Sequence, residues 1–321
     1  MHDIAVLGVG PAGALCAREL TSRGADVVAI DKGRGAGGRL STRRAGDARF
    51  DHGAQYFTVR DPALQDRSTA WAAAGAISRW EGPFGTLTPR GFVSRPPSTD
   101  RWVGTPGMNS LLKHLLQGVD VRFGARAEAL HKEPDGWTVL GTNDQPLARA
   151  RRLVVAVPTP QAIPLLSGHQ FAEALKPVQY APCWAAMVAA APLDISWTGA
   201  HVEESPLAWV ARNQTKPGRP TGEQWVLHAS EEWSREHLEE DASEVATALV
   251  EAAQALPGLG AFVPTFLQAH RWRYALVTKP LGKPCLHEKH LTVCGDGLLG
   301  GRVEAALLSG LAAAEAVAAS V

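Results

Sequence analysis

The sequence predicts an α/β protein: a Rossmann-type dinucleotide-binding domain with a second, mixed-sheet α+β substrate domain. Three observations predict it. The apolar run Ile4-Ala5-Val6-Leu7 leads into Gly8-Val9-Gly10-Pro11-Ala12-Gly13. A second apolar run, Val27-Val28-Ala29-Ile30, ends on Asp31, and a third, Leu153-Val154-Val155-Ala156-Val157, stops at Pro158. The first two read as strand, glycine turn, helix, strand and acid, the dinucleotide fingerprint in its proper context. The third reads as a buried strand returning to the same sheet.

Each residue type has a physical role. Gly8 permits the tight turn, Gly10 lets the backbone approach a pyrophosphate, and Gly13 lets helix and strand pack closely. The helix N-terminus offers free N–H groups and partial positive charge to the phosphates. Asp31 accepts hydrogen bonds from a ribose 2′-hydroxyl and would repel a 2′-phosphate. The fingerprint names a dinucleotide without saying which.

The segment after the acid narrows the choice. Lys32-Gly33-Arg34-Gly35-Ala36-Gly37-Gly38-Arg39-Leu40 is rich in glycine, and Arg34, Arg39, Arg43 and Arg44 add positive charge. Open backbone N–H groups and guanidinium groups suit a diphosphate. Gly37-Gly38-Arg39 resembles the same segment of the amine-oxidase and phytoene-desaturase superfamily of FAD proteins. Asp51-His52-Gly53-Ala54-Gln55-Tyr56-Phe57-Thr58 resembles the renalase family, especially its bacterial branch. Four further blocks agree in order: Leu207 to Asn213 with Lys216-Pro217-Gly218-Arg219; Trp225 to Ala229; His270 to Tyr274; and Cys294-Gly295-Asp296 with Gly300 to Glu304. One departure is Gly297-Leu298, where bacterial relatives carry an aromatic residue.

The resemblance implies an FAD domain of the amine-oxidase and p-hydroxybenzoate-hydroxylase kind, with the FAD held non-covalently. It implies cofactor contacts from Gly8, Gly10, Pro11, Ala12, Gly13, Asp31, Lys32, Gly37, Gly38, Arg39, Leu40, Gln55, Ala127, Gly295, Asp296, Arg302 and Val303. It implies a substrate site built from His228, Trp272, Tyr274, Asn213, Gln55 and Tyr56. The implied reaction is oxidation of 2- and 6-dihydro isomers of NAD(P) to NAD(P)+. Hydride passes to flavin N5, and O2 is reduced to H2O2. Two alternatives stay open: a flavin amine oxidase of the same fold, and an FAD- or NAD-binding module without turnover.

The residues themselves leave several roles divided. Asp296 suits a ribityl hydroxyl beside a helix N-terminus, or an Asx turn. His228 sits among apolar strand residues, as a structural group or a substrate hydrogen-bond partner. His270, Trp272 and Tyr274 share one strand face and Arg271 and Arg273 the other, giving a flat aromatic slot or a core cluster. Arg212, Lys216 and Arg219 meet a substrate phosphate or form a solvated turn. Arg302 and Glu304 belong to a helix start.

Composition bounds the rest. The chain has 321 residues, 45% hydrophobic, with 32 basic and 32 acidic residues. Balanced charge without a basic block argues against nucleic acid or an anionic membrane as partner. No apolar stretch reaches the length of a membrane span, and the N-terminal run is broken too early for a signal peptide. Cys16, Cys183, Cys285 and Cys294 form no C-x-x-C, and the eleven histidines form no metal motif. A reducing cytoplasm and no metal are expected.

The expected organisation is a discontinuous cofactor domain, 1–60, 100–164 and 285–321, enclosing a substrate domain, 61–99 and 165–284. A helix is expected over 108–116, a strand over 119–123, and a ribbon over 127–130 and 136–140. Further strands are expected at 183–190, 206–211, 224–229 and 266–276. One long helix is expected over 231–255, and an Ala-rich amphipathic helix after Gly301.

Overall fold

The computed structural model describes residues 1–320. Two sheets organise them. The first holds a parallel core in the order 120–123, Val27–Asp31, His2–Leu7, Pro146–Val155 and Leu291–Val293. The antiparallel ribbon Ala129–Glu133 and Gly136–Leu140 extends it through the early half of the 146–155 strand.

Alternation along the strands buries both faces. Ile4 and Val6 pack on one side with Ala14, Leu15, Leu111 and Leu307. Ala5 and Leu7 pack on the other with Ala162, Phe171 and Leu175. The first helix, Pro11–Ser22, and the last, Val303–Ala319, lie together on the first side. The last helix is not amphipathic. It is buried around nearly its whole circumference, and Glu315 is its one exposed residue before Ala319. Close packing explains why: a Cβ on Gly310 would stand 2.2 Å from the Ala12 carbonyl oxygen of the first helix.

The second sheet has seven strands, ordered Pro264–Lys279, Gln179–Ala190, Glu223–Ala229, Leu207–Arg212, Gly199–Val202, Phe84–Thr88 and Gly91–Ser94. Its outer face carries Trp184, Ala186, Val210 and Leu227, covered by Val245, Leu249 and Ala253. The expected single helix over 231–255 is two. Glu231–Glu236 stops, and Ala242–Gln254 restarts where the Asp241 carboxylate accepts the Ser243 N–H at 2.7 Å. A side-chain cap with β-region backbone marks a fresh helix start. The inner face meets the hairpin Thr42–Ala45 and Ala48–Asp51, where Phe50 packs on Met187 and Val226.

Residues 61–99, for which the sequence reading names no element, contain a full helix, Pro62–Ala73. Asp61 caps it through the Ala63 N–H at 2.9 Å, and Pro62 occupies the first turn, where its missing N–H costs nothing. The Glu304 carboxylate accepts the Asp61 N–H at 2.8 Å, tying this segment to the last helix.

The Gly310 contact is testable. Gly310→Ala should destabilise the protein by about 1–3 kcal/mol through overpacking of the two helices. Urea unfolding checks this; an unchanged midpoint would show that the helices separate freely.

Candidate active site

A groove of about 1020 Å³ runs along the C-terminal edge of the first sheet. Gly8, Gly10, Pro11 and Ala12 line it from the first turn, Asp31 and Lys32 from the second strand, and Gly38 and Arg39 from the glycine-rich loop. Ala127, Gly295 and Asp296 line it too, and His270, Trp272 and Tyr274 reach it from the second sheet. The sequence-predicted cofactor residues thus meet the predicted aromatic slot in one cavity.

The groove is shaped for a diphosphate-bearing ligand. Gly8 has φ +90, a left-handed value that suits glycine. A Cβ on Gly13 would lie 1.9 Å from the Gly8 carbonyl oxygen, so turn and helix touch there. A Cβ on Gly10 or Gly295 would meet no protein atom within 4 Å and would instead fill the groove. Asp31 is oriented by two backbone donors, Val9 N–H at 2.8 Å and Gly33 N–H at 2.7 Å. A carboxylate has further lone pairs for ribose hydroxyls.

Arg39 forms a fork with Asp296, at 2.5 and 2.7 Å, and donates to the carbonyls of Tyr274 and Ala275 at 3.3 Å. The glycine-rich loop, the C-terminal Gly-Asp turn and the long 264–279 strand are joined through that one guanidinium.

Other predicted residues stand elsewhere. Leu40 belongs to the core, and Gly37 packs on Ser41. Arg302 is exposed, and Val303 opens the last helix, neither lining the groove. Asn213 is fully buried: its Oδ1 accepts the Asp51 N–H at 3.3 Å and its Nδ2 donates to the Arg49 carbonyl at 2.5 Å. Gln55 donates to the carbonyls of Asp51 and Gly53 and accepts from Lys216 Nζ at 3.1 Å. Both Asn213 and Gln55 brace the hairpin instead of facing the groove. Tyr56 lies against Trp80, Trp209 and Arg101.

The 212–219 turn is neither solvated nor open to a substrate phosphate. Lys216 and Arg219 have no exposed side-chain surface, and both grip Asp51, at 3.2 and 2.5 Å. Arg212 pairs with Glu223 at 3.1 Å. Burial alone would raise the Asp51 pKa, but the two cations override it and hold it at about 2. Burial pulls Lys216 down to about 8 against the attraction of Asp51.

His52, which the sequence reading leaves out of the site, stands behind the aromatic wall of the groove. Its ring stacks on Trp272 at 5.1 Å and meets His270 edge-on at 4.9 Å. Its carbonyl accepts from Trp272 Nε1 at 2.9 Å and bonds His228 Nε2 at 3.2 Å. A carbonyl only accepts, so His228 carries its proton on Nε2. Burial, then His270, brings the His52 pKa to about 3; burial brings that of His228 to about 4. Burial and Arg43 lower that of His270. All three rings are neutral at physiological pH. The signal for His52 was its place beside the buried Asp51 in the Asp-His-Gly block, but only the fold shows its neighbours.

With this geometry in hand, comparison with known proteins is informative. A family model for flavin containing amine oxidoreductases matches residues 87–318, and one for an NAD(P)-binding Rossmann-like domain matches residues 6–67. The chain belongs to the flavin-containing amine oxidoreductase family. It is an FAD-dependent oxidoreductase, and the groove fits that cofactor. The fold is similar to cyclohexylamine oxidase from Brevibacterium oxydans IH-35A, at 11% identity over 99% of both chains with a TM-score of 0.77. It is similar to putrescine oxidase bound to putrescine, at 14% identity over 99% of both chains with a TM-score of 0.68. A candidate protoporphyrinogen oxidase from Exiguobacterium sp. 255-15 gives 12% identity over 98% of both chains and a TM-score of 0.79. No helix among the described residues is long and apolar enough to cross a membrane.

Two expectations follow. Gly10→Val should lower bound flavin at least about tenfold, because the side chain stands where a pyrophosphate must approach. The ratio of flavin to protein absorbance checks this, with circular dichroism to show that the fold persists. The second concerns acid. His52 and His228 have folded pKa values below the free value of 6.5, so the unfolded chain binds protons that the folded chain refuses. Their stabilisation is complete above pH 6.5 and is lost as pH falls towards 4 and 3. Each group contributes a slope of about 1.4 kcal/mol per pH unit there. Urea unfolding between pH 7 and 5 should show stability falling with pH, and His228→Asn should remove its share of the slope while leaving that of His52.

Proposed function

We propose that this FAD-dependent oxidoreductase is a renalase-type oxidase, acting on the 2- and 6-dihydro isomers of NAD(P) to give NAD(P)+. FAD, when bound, supplies a hydride acceptor at N5 and a route for the electrons to O2, giving H2O2. One observation carries this reading. The wall of the groove formed by His270 and Trp272, backed by His52, is made of neutral rings, and every acid lining the groove is engaged. Asp31 holds two backbone N–H groups, Asp296 holds Arg39, and Glu128 is exposed and bonded to Thr142. Trp272 and Tyr274 give a flat slot for a ring. The neutral histidines neither attract an ammonium group nor repel an uncharged dihydropyridine.

Hydride transfer from such a ring needs stacking and alignment more than a general base. The residues present serve that need. The Trp272 Nε1–His52 carbonyl bond fixes the indole plane, and His228 fixes the same carbonyl from the 223–229 strand, two places away in the sheet. The block resemblance along the chain supports the same assignment. We further read the chain as two domains with the boundaries expected from sequence, as holding FAD non-covalently and as working in the cytoplasm.

A second reading, amine oxidation, is favoured by the family description and by the amine oxidases that share the fold. It lacks a free carboxylate in the groove for an ammonium group. Anaerobic mixing separates the two. The oxidised flavin band should bleach rapidly with 2- or 6-dihydro NAD(P), and slowly with the 4-dihydro form or with amines. Bleaching by amines alone would sink the proposal, and no bleaching by any donor would favour a module that binds without turnover.

A further inference from the structure

Beyond the groove, the inner face of the second sheet carries a row of aligned side chains. His270 lies opposite Ala185, Ala185 opposite His228, His228 opposite Trp209, and Trp209 opposite His201. Directly opposite residues share a face. From His270 to Trp209 the row crosses three strand spacings, roughly 14 Å at about 4.8 Å each. The 52–55 loop covers its middle, where the His52 carbonyl and Gln55 Nε2 stand 3.2 and 3.5 Å from His228 Nε2, so the row is a packed face and its far end lies apart from the groove.

At its far end stands Arg101. Its guanidinium lies 3.9 Å over the Phe84 ring, 4.5 Å over Tyr56 and 5.7 Å over Trp209. No carboxylate pairs with it among the described residues. Its Nε and Nη1 are buried and donate to nothing. Trp209, more than nine-tenths buried, also has an Nε1–H without an acceptor. His201, edge-on to Trp209 at 4.8 Å, has its pKa lowered by partial desolvation and by Arg101 itself. Two residues with unsatisfied donors thus meet in one ring-walled cluster, and no acceptor of the protein answers them. Buried donors are rarely left so, and each costs free energy until an acceptor arrives. Arg101 and Tyr56 are only partly buried, so the cluster opens to solvent.

We propose that Arg101 and the Trp209 Nε1–H form an oxyanion-recognition site, separate from the groove, for a phosphate or a carboxylate. The site stands on its own unsatisfied donors and does not depend on the functional reading above. The guanidinium offers charge and a planar donor fork, and the indole adds a neutral donor. The aromatic walls hold the guanidinium without neutralising it. A cationic group would be repelled from this place.

The test uses the FAD-loaded protein, whose cofactor occupies the phosphate-binding turn of the groove. Inorganic pyrophosphate, inorganic phosphate and acetate are titrated separately while tryptophan fluorescence is followed. Saturable quenching by pyrophosphate or phosphate, weakening as salt rises, is the expected result and assigns the site to phosphate. Saturation by acetate alone assigns it to a carboxylate. Arg101→Gln should weaken binding by about tenfold or more, with Arg101→Lys recovering part of the loss. Trp209→Phe keeps the ring and removes the donor; it should also weaken binding, read by flavin absorbance.

The site is overturned if no anion saturates, or if Arg101→Gln binds as the parent does. Should Arg101→Gln fail to fold, Trp209→Phe decides: unchanged affinity overturns the proposal. Anion binding is read without turnover, so its outcome is independent of the bleaching experiment. Saturable phosphate with no bleaching by dihydro isomers would strike the functional reading alone.

Discussion

The ring-walled end of the groove hangs on one buried carboxylate. Asp51 has no exposed surface and accepts from Lys216, Arg219, Thr42 and the Met108 N–H. These partners come from the hairpin, the segment before the 110–115 helix, and the turn between two strands of the second sheet. A buried ion pair is weak evidence for net stability, because desolvating charges is costly. It is strong evidence for geometry, since removing one partner leaves an uncompensated buried charge. Around Asp51 the chain runs straight into His52, Gly53 and Gln55. The carbonyl of His52 orients both Trp272 and His228. The ion cluster therefore sets where the ring wall stands.

Burial then decides the chemistry of that wall. Three histidines crowd within ring contact of Trp272 or one hydrogen bond of the His52 carbonyl, and none has an acidic partner. Without one, desolvation dominates and keeps them uncharged. Lys216 and Arg219 place two positive charges below the wall; Asp51 offsets one of them, and Lys216 adds to the desolvation that keeps His228 uncharged. The groove thus combines a diphosphate end, built from backbone N–H groups, a helix N-terminus and arginine, with a neutral ring end. That polarity suits an anionic cofactor and an uncharged reacting ring.

How much of this was legible follows from range. The glycine turn, Asp31 and the Gly295-Asp296 turn are local signals, and the structure gathers them in the groove. The face shared by His270, Trp272 and Tyr274 follows from strand periodicity alone. The helix start at Asp241 and the helix after Asp61 were also written locally, as an acidic cap and as Asp-Pro, but an apolar period masked the first and short punctuation the second. The partner of Asp51 was not legible. Lys216 and Arg219 lie far along the chain, and a Lys-Pro-Gly-Arg turn reads as solvent-facing unless the fold buries it. Asn213 and Gln55 were placed in a pocket for the same reason: their polar groups look available in sequence, whereas backbone groups of the hairpin consume them.

Enzymes named for amines and for other substrates share this fold, so the fold alone does not set specificity and the side chains that the inner sheet face presents must. Here that face is not an open apolar cage. The 52–56 loop lies against it with His52 and Tyr56, and Trp80 adds a third ring against Tyr56 and Trp209. What remains along the row is uncharged at one end and a bare guanidinium at the other. A small cationic amine finds no counter-charge at the reacting end and repulsion at the far end. The direction of that asymmetry, more than any single residue, separates the proposed oxidase from an amine oxidase on the same scaffold.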